Sequence, residues 1–162
     1  VRDARINMLY EGTNGIQALD LLGRKVLHDQ GAKLRLFGGL VREFAMAQMD
    51  KPEMAEFIGP LAALGEEVTK LTTELGMKAM VDADEVGAAS VPYLRVVGHL
   101  VYAWLWARMA ALALDKTDDD FYAAKVATAR FYYAWLLPET AQQFRAARAG
   151  AATLMAMPVE QF

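Results

Sequence analysis

The stretch from Val91 to Leu114 constrains the fold of this chain more than any other. Leu94, Val97, Val101, Trp104, Leu105, Met109 and Leu112 recur at helical spacing and leave almost no polar face. A helix that is apolar all round has to be enclosed by other elements or by a membrane. Between Val96 and Ala107 there is no Lys, Arg, Asp or Glu, and Arg95 and Arg108 bracket that span. It is shorter than the ~20 apolar residues a bilayer requires. The stretch therefore predicts a central helix, and the remaining chain has to supply the helices around it.

It does so at regular intervals. Ile16, Leu19, Leu22 and Val26 recur at helical spacing after Thr13 or Asn14, either of which can cap a helix start by accepting from the free N–H groups of the next turn. Asp29-Gln30-Gly31 is the expected break. A second helix is predicted over Lys33–Gln48, with Leu34, Phe37, Val41 and Phe44 on one face. Gly38-Gly39 sits in its middle, where each glycine costs ~1 kcal/mol against Ala, so a close helix approach or a local break is expected there. Pro52 suits the first position of a third helix over Glu53–Val81, with the stripe Phe57, Leu61, Leu64, Val68, Leu71, Leu75 and a kink at Pro60. The central helix should begin at Ala88 or Val91. An acidic turn, residues 115–120, should cap a fifth helix over Phe121–Ala149, interrupted by Pro138 and ended by Gly150. The tail from Ala151 to Phe162 is expected to be partly disordered or docked on a neighbour. No segment alternates with period two. The fold class is thus all-α, an antiparallel helical bundle of about four or five helices with short loops.

The 162 residues suit one helical domain, or one domain plus a stub of another. The chain opens on Val1, without an initiator Met or a signal-peptide pattern, and reads as a piece of a longer protein. A net charge of −3 argues against nucleic-acid binding. The absence of cysteine removes thiolate nucleophiles and Cys-based metal sites and fits a reducing, cytoplasmic compartment. His28 and His99 stand without a carboxylate in register, so a multi-His metal site is not expected and both read as structural or solvated. The aromatic runs 102–106 and 131–135 lack the basic residues of a strand-tracking groove and read as core or inter-domain face. Asp118-Asp119-Asp120 lacks the spacing of a calcium loop and reads as a cap. The nine methionines mark an adaptable packing surface, with acyl-chain or peripheral membrane contact as the alternative.

One stretch carries chemistry. In Tyr10-Glu11-Gly12-Thr13-Asn14-Gly15-Ile16-Gln17 a carboxylate lies beside a glycine that lets backbone approach a ligand, just before a helix start with free N–H groups. That suits a positioned general base next to a bound cofactor. On spacing alone a solvated Glu is the commoner outcome.

The wording is more specific than the spacing. Arg2-Asp3-Ala4-Arg5-Ile6, the Tyr10–Gln17 run and the continuation Ala18-Leu19-Asp20-Leu21-Leu22-Gly23-Arg24-Lys25 together resemble the acyl-CoA dehydrogenase family. The match covers about residues 2–25, the segment that carries that family's catalytic glutamate. The resemblance implies that Glu11 removes the α-proton of an acyl-CoA thioester while the β-hydride passes to FAD, and that the backbone N–H at that position helps polarise the thioester carbonyl. Gly12 would border the thioester, and Thr13, Asn14 and Gly15 would lie against FAD. Many short members have Ser-Gln where this chain has Asn14-Gly15, so position 15 offers FAD no side chain. The Asn-Gly version is similar to longer members with an added C-terminal helical domain. The resemblance then implies residues 1–30 as the end of the core helical domain and 31–162 as the extension. It also implies a homodimer, electron-transfer flavoprotein as acceptor, and a chain inactive without the remaining core. The alternative is a non-catalytic helical module for dimerisation, docking or membrane association.

Overall fold

The computed structural model describes residues 5–6 and 13–161. Seven α-helices lie among them: α1 (Thr13–Leu19), α2 (Ala32–Gln48), α3 (Ala55–Val81), α4 (Asp84–Ala113), α5 (Asp120–Phe131), α6 (Glu139–Arg148) and α7 (Ala152–Met155). Two π-helical stretches extend α1 and α5, Asp20–Leu27 and Tyr132–Leu136, and no strand occurs among the described residues. The all-α bundle is as expected.

The central helix is α4, which packs against α1, α3, α5 and α6. Its buried residues Ala89, Tyr93, Val96, Leu100, Ala103, Ala107 and Ala110 step alternately by four and three, the spacing of a helix–helix seam. The alanines in the second half let neighbours approach closely. Helix α4 begins at Asp84, earlier than the expected Ala88 or Val91, and runs through Pro92. The Asp82 side chain accepts from the Asp84 N–H at 2.9 Å, and Asp84 and Glu85 place negative charge on the first turn. With this longer start, residues 84–116 are long and apolar enough to cross a membrane by length and composition, which the charge-free span alone was not. This helix packs against four others, and 39% of its most apolar 18-residue window is buried.

The α3 stripe is buried as expected, and the helix continues through Pro60. Fully buried Phe57 stacks edge-on against Tyr133 at 5.2 Å. Tyr133 in turn donates from its hydroxyl to the Ala103 carbonyl at 2.8 Å, tying α3 and the second π-helical stretch to α4. Tyr93 shares a 2.7 Å hydrogen bond with Thr72, and burial pushes its phenol up to about 12.

Helix α2 corrects one expectation. Gly38 and Gly39 mark neither a break nor a close approach, since α2 is continuous and a Cβ at either would meet nothing within 4 Å. The break before it is as expected: Gln30 and Gly31 both have positive φ, at 55° and 75°, and Asp29 accepts from the Ala32 and Lys33 N–H groups.

Asp119 is the residue of the acidic turn that caps α5, accepting from Phe121 N–H at 2.8 Å. Pro138 separates α6 from the π-helical stretch, and Gly150 ends the segment at φ 82°. A Cβ on Gly150 would sit 2.9 Å from Glu85 Oε1. The end of α6 is clamped here. Arg148 donates to Glu67 and Glu74, each at 2.6 Å, Lys78 donates to Glu85 and to the Arg148 carbonyl, and Glu85 also accepts from Ala151 N–H at 3.0 Å. The tail beyond Ala151 forms a short helix and a 3-10 turn with mostly exposed side chains.

The clamp has a pH consequence. Hydrogen bonding from Arg148 holds the Glu74 carboxyl below its usual range, and hydrogen bonds from the Ala151 N–H and Lys78 do the same for Glu85. Groups with depressed native pKa values contribute stability that is full above the unfolded carboxylate pKa of ~4.3 and is lost as pH falls through the native values. Acid titration followed by circular dichroism should therefore show the bundle weakening below about pH 4. A stability that stays constant or rises over that interval would contradict the clamp.

Candidate functional site

Of the five candidate site residues, Glu11 and Gly12 lie outside the described residues. The other three open α1. Thr13 and Asn14 take helical positions in α1, and the capping of this helix start lies outside the described residues. Thr13 and Gly15 are half-buried, Asn14 is exposed, and no atom of the described residues lies within 4 Å of a Cβ built on Gly15.

The helix behind them is anchored to the bundle by a face of which the sequence pattern gives Leu22 and Val26 but not Ala18. Buried are Ala18, Leu22 and Val26, whereas Ile16 and Leu19 are 67% and 48% exposed. The anchored face steps by four, and π-helical hydrogen bonding carries it through: His28 N–H donates to the Gly23 carbonyl at 3.0 Å, and Gly31 N–H to the Val26 carbonyl at 2.7 Å. Two glycines lie at this contact. Gly23 faces Val86 Cγ1, and Gly76 faces Leu27 Cδ2, each at 3.6 Å from where a Cβ would stand. Asp20 pairs with Arg24 and with Lys25, the latter at 2.9 Å, and the Arg24 guanidinium beside it holds its carboxyl below the usual range.

The result is a helix fixed on one side to α4, with Asn14, Ile16, Gln17 and Leu19 uncovered on the other. A polar first turn with a side-chain-free position and apolar residues beside it fits contact with a flat, partly polar cofactor and with further protein.

No group of three or more His, Asp or Glu among the described residues could hold a metal ion. The spacing of His99 hid its partners, which come from other segments. Its Nδ1 lies 2.8 Å from the Tyr132 hydroxyl, and its Nε2 lies 3.7 Å from Glu139, which also pairs with Arg95. This cluster joins α4 to the second π-helical stretch and α6. A carboxylate does reach His99, contrary to expectation, but in a structural setting. His28 is exposed.

The sequence comparisons agree with this architecture. The family described as "Acetyl-CoA dehydrogenase C-terminal like" matches residues 37–158. The chain is 36% identical over 152 residues to the broad-specificity linear acyl-CoA dehydrogenase of Mycobacterium tuberculosis, covering 85% of this chain and 25% of that protein. It is 39% identical over 150 residues to the 3-methylmercaptopropionyl-CoA dehydrogenase of Ruegeria pomeroyi, covering 85% of this chain and 24% of the relative. Against the butyryl-CoA dehydrogenase of Syntrophomonas wolfei it is 29% identical over 168 residues, 99% of this chain and 28% of the relative. The chain belongs to the acyl-CoA dehydrogenase C-terminal family and corresponds to a C-terminal portion of these enzymes. It spans about a quarter of the length of the curated relatives it matches.

Proposed function

We propose that this chain is the C-terminal part of an FAD-dependent acyl-CoA dehydrogenase and supplies its catalytic base. The observation that carries the reading is the run Tyr10–Gln17, at the head of a helix that is anchored on one side and open on the other. Family membership and relatives that act on CoA thioesters support it.

In this reading Glu11 takes the α-proton of the acyl-CoA thioester, and the backbone N–H beside its carboxylate stabilises charge developing on the thioester oxygen. Gly12 leaves room for the thioester. Thr13 and Asn14 offer polar contacts to FAD, and Gly15 lets the first turn approach it without a side chain. When bound, FAD accepts the β-hydride. Exposed Ile16 and Leu19 then pack against the rest of the flavoprotein core. Residues 1–30 end the core domain and residues 31–162 form the extension. The complete enzyme is a cytoplasmic homodimer that passes electrons to electron-transfer flavoprotein.

Exposed Tyr102, Phe131 and Trp135 on the α4–α5 side favour a second role for residues 31–162 as an interaction module, and the two roles are compatible. The reading is tested by assaying the 162-residue chain and the complete protein side by side for bound flavin and acyl-CoA-dependent dye reduction. Activity is expected only in the complete protein. Turnover by the chain alone, or a complete protein without flavin, would overturn it.

A further inference from the structure

Between α2 and α3 lies a groove of about 540 Å³ with Leu100 of α4 at its base, within the ~300–1,000 Å³ typical of small-molecule sites. No residue of α1 lines it. The groove exists because Gly38, Gly59 and Gly65 carry no side chain on its walls. A Cβ at Gly38 or Gly59 would meet nothing within 4 Å, and one at Gly65 would meet only Leu100 Cδ1 at 4.0 Å. Each of these glycines weakens its helix by ~1 kcal/mol against Ala, so the chain bears a cost to keep the groove open.

The groove is apolar at one end and carries its charged and polar side chains in the middle and at the other end. Met46, Met49 and Ile58 form one end, with both methionines more than half exposed. Leu34, Thr69, Lys70 and Thr73 form the other. From Gly59 to Thr73 the α3 wall rises about 21 Å at ~1.5 Å per residue. Lys70 makes no ion pair among the described residues; its charge helps Arg148, which is bound to Glu74 one turn further on, to hold that carboxyl below its usual range. Arg42 lines the middle with no ion-pair partner among the described residues, and Glu66 lines it from the α3 wall. The Thr69 and Thr73 hydroxyls donate to main-chain carbonyls of their own helix, so charge on Lys70, helped by the positive end of the α2 dipole, is what recognises a head group.

We propose that this groove binds a single-chain anionic amphiphile, a long-chain carboxylate, with its head at Lys70 and its tail running past Gly38, Gly65 and Gly59 to Met46 and Met49. The inference does not depend on the role of Glu11. A neutral or cationic amphiphile leaves Lys70 unused, and a short carboxylate leaves the apolar length empty.

The test is calorimetric titration of the 162-residue chain with dodecanoate below its micellar concentration. Saturable binding is expected, tightening by about tenfold for every two methylenes added to the tail. Gly38→Leu should weaken it by at least about tenfold by filling the groove, while raising helix propensity and so keeping the fold. Gly39→Leu, exposed and outside the groove, should bind as the parent does. Lys70→Gln should weaken dodecanoate by about fivefold and leave dodecanol unchanged. No saturable binding, binding independent of tail length, or a folded Gly38→Leu variant that binds like the parent would each overturn the proposal. So would light scattering showing a dimer that Gly38→Leu dissociates, because the groove would then hold a second copy of the chain.

Discussion

Replacing Phe57 by Ala is expected to lower the thermal midpoint by roughly 6–20 °C, corresponding to ~3–5 kcal/mol for a buried Phe in a domain of this size. Phe57 has no exposed surface and lies edge-on to Tyr133. Tyr133 spends its hydroxyl on the Ala103 carbonyl at the small-residue seam of α4. Burial pushes the Tyr133 phenol well above its usual range, so it remains a neutral donor. Truncating Phe57 leaves a cavity where α3, α4 and the second π-helical stretch meet, and it removes the ring that positions Tyr133. Phe131, which is more than half exposed, is the control, and Phe131→Ala should stay within ~0.5 kcal/mol. Melting curves of the two variants against the parent decide the matter. Equal shifts would mean that the seam is not where the bundle is held.

The parts of this fold that were legible in the sequence are those governed by one period. The α3 stripe Phe57, Leu61, Leu64, Val68, Leu71, Leu75 is buried as its spacing demands. The stops at Gly31 and Gly150 lie where positive φ favours glycine. The misplaced features have physical reasons. Of the stripe Ile16, Leu19, Leu22 and Val26, the last two are buried as expected, whereas Ala18 takes the contact in the first turns, Ile16 and Leu19 stay exposed, and the helix continues through π-type hydrogen bonds. The start of α4 was placed late because its first turns are held by Asp82 and by acidic residues rather than by an apolar stripe. Gly38-Gly39 suggested a close approach and instead open toward space, which depends on where α3 lies and not on α2 itself. The contact of Glu139 with His99 and of Arg148 with Glu67 and Glu74 spans distant segments that no local pattern connects. For the site the balance was reversed. Glu11 was singled out by the wording of its neighbours, because a single carboxylate before a helix has no periodic signature.

The largest effect concerns that carboxylate. Glu11→Gln keeps the size and most of the hydrogen-bonding capacity of the side chain but cannot take a proton. General-base catalysis contributes ~10²–10⁴-fold, and in the proposed reaction the proton removed is weakly acidic, so a loss near the upper end is expected. Binding of acyl-CoA should change little, because a residue acting in the transition state lowers turnover without raising the dissociation constant. Flavin content should also be unchanged, since Thr13, Asn14 and Gly15 remain. A substitution at Asn14 should show the opposite pattern, with weaker flavin retention and a smaller loss of rate.

The most direct measurement is the anaerobic rate of flavin bleaching when acyl-CoA is mixed with the complete enzyme carrying Glu11→Gln. A loss of about 10³-fold or more, with acyl-CoA still bound and flavin still present, is the expected result. Bleaching at a rate within about threefold of the parent would contradict the assignment of Glu11 as the base.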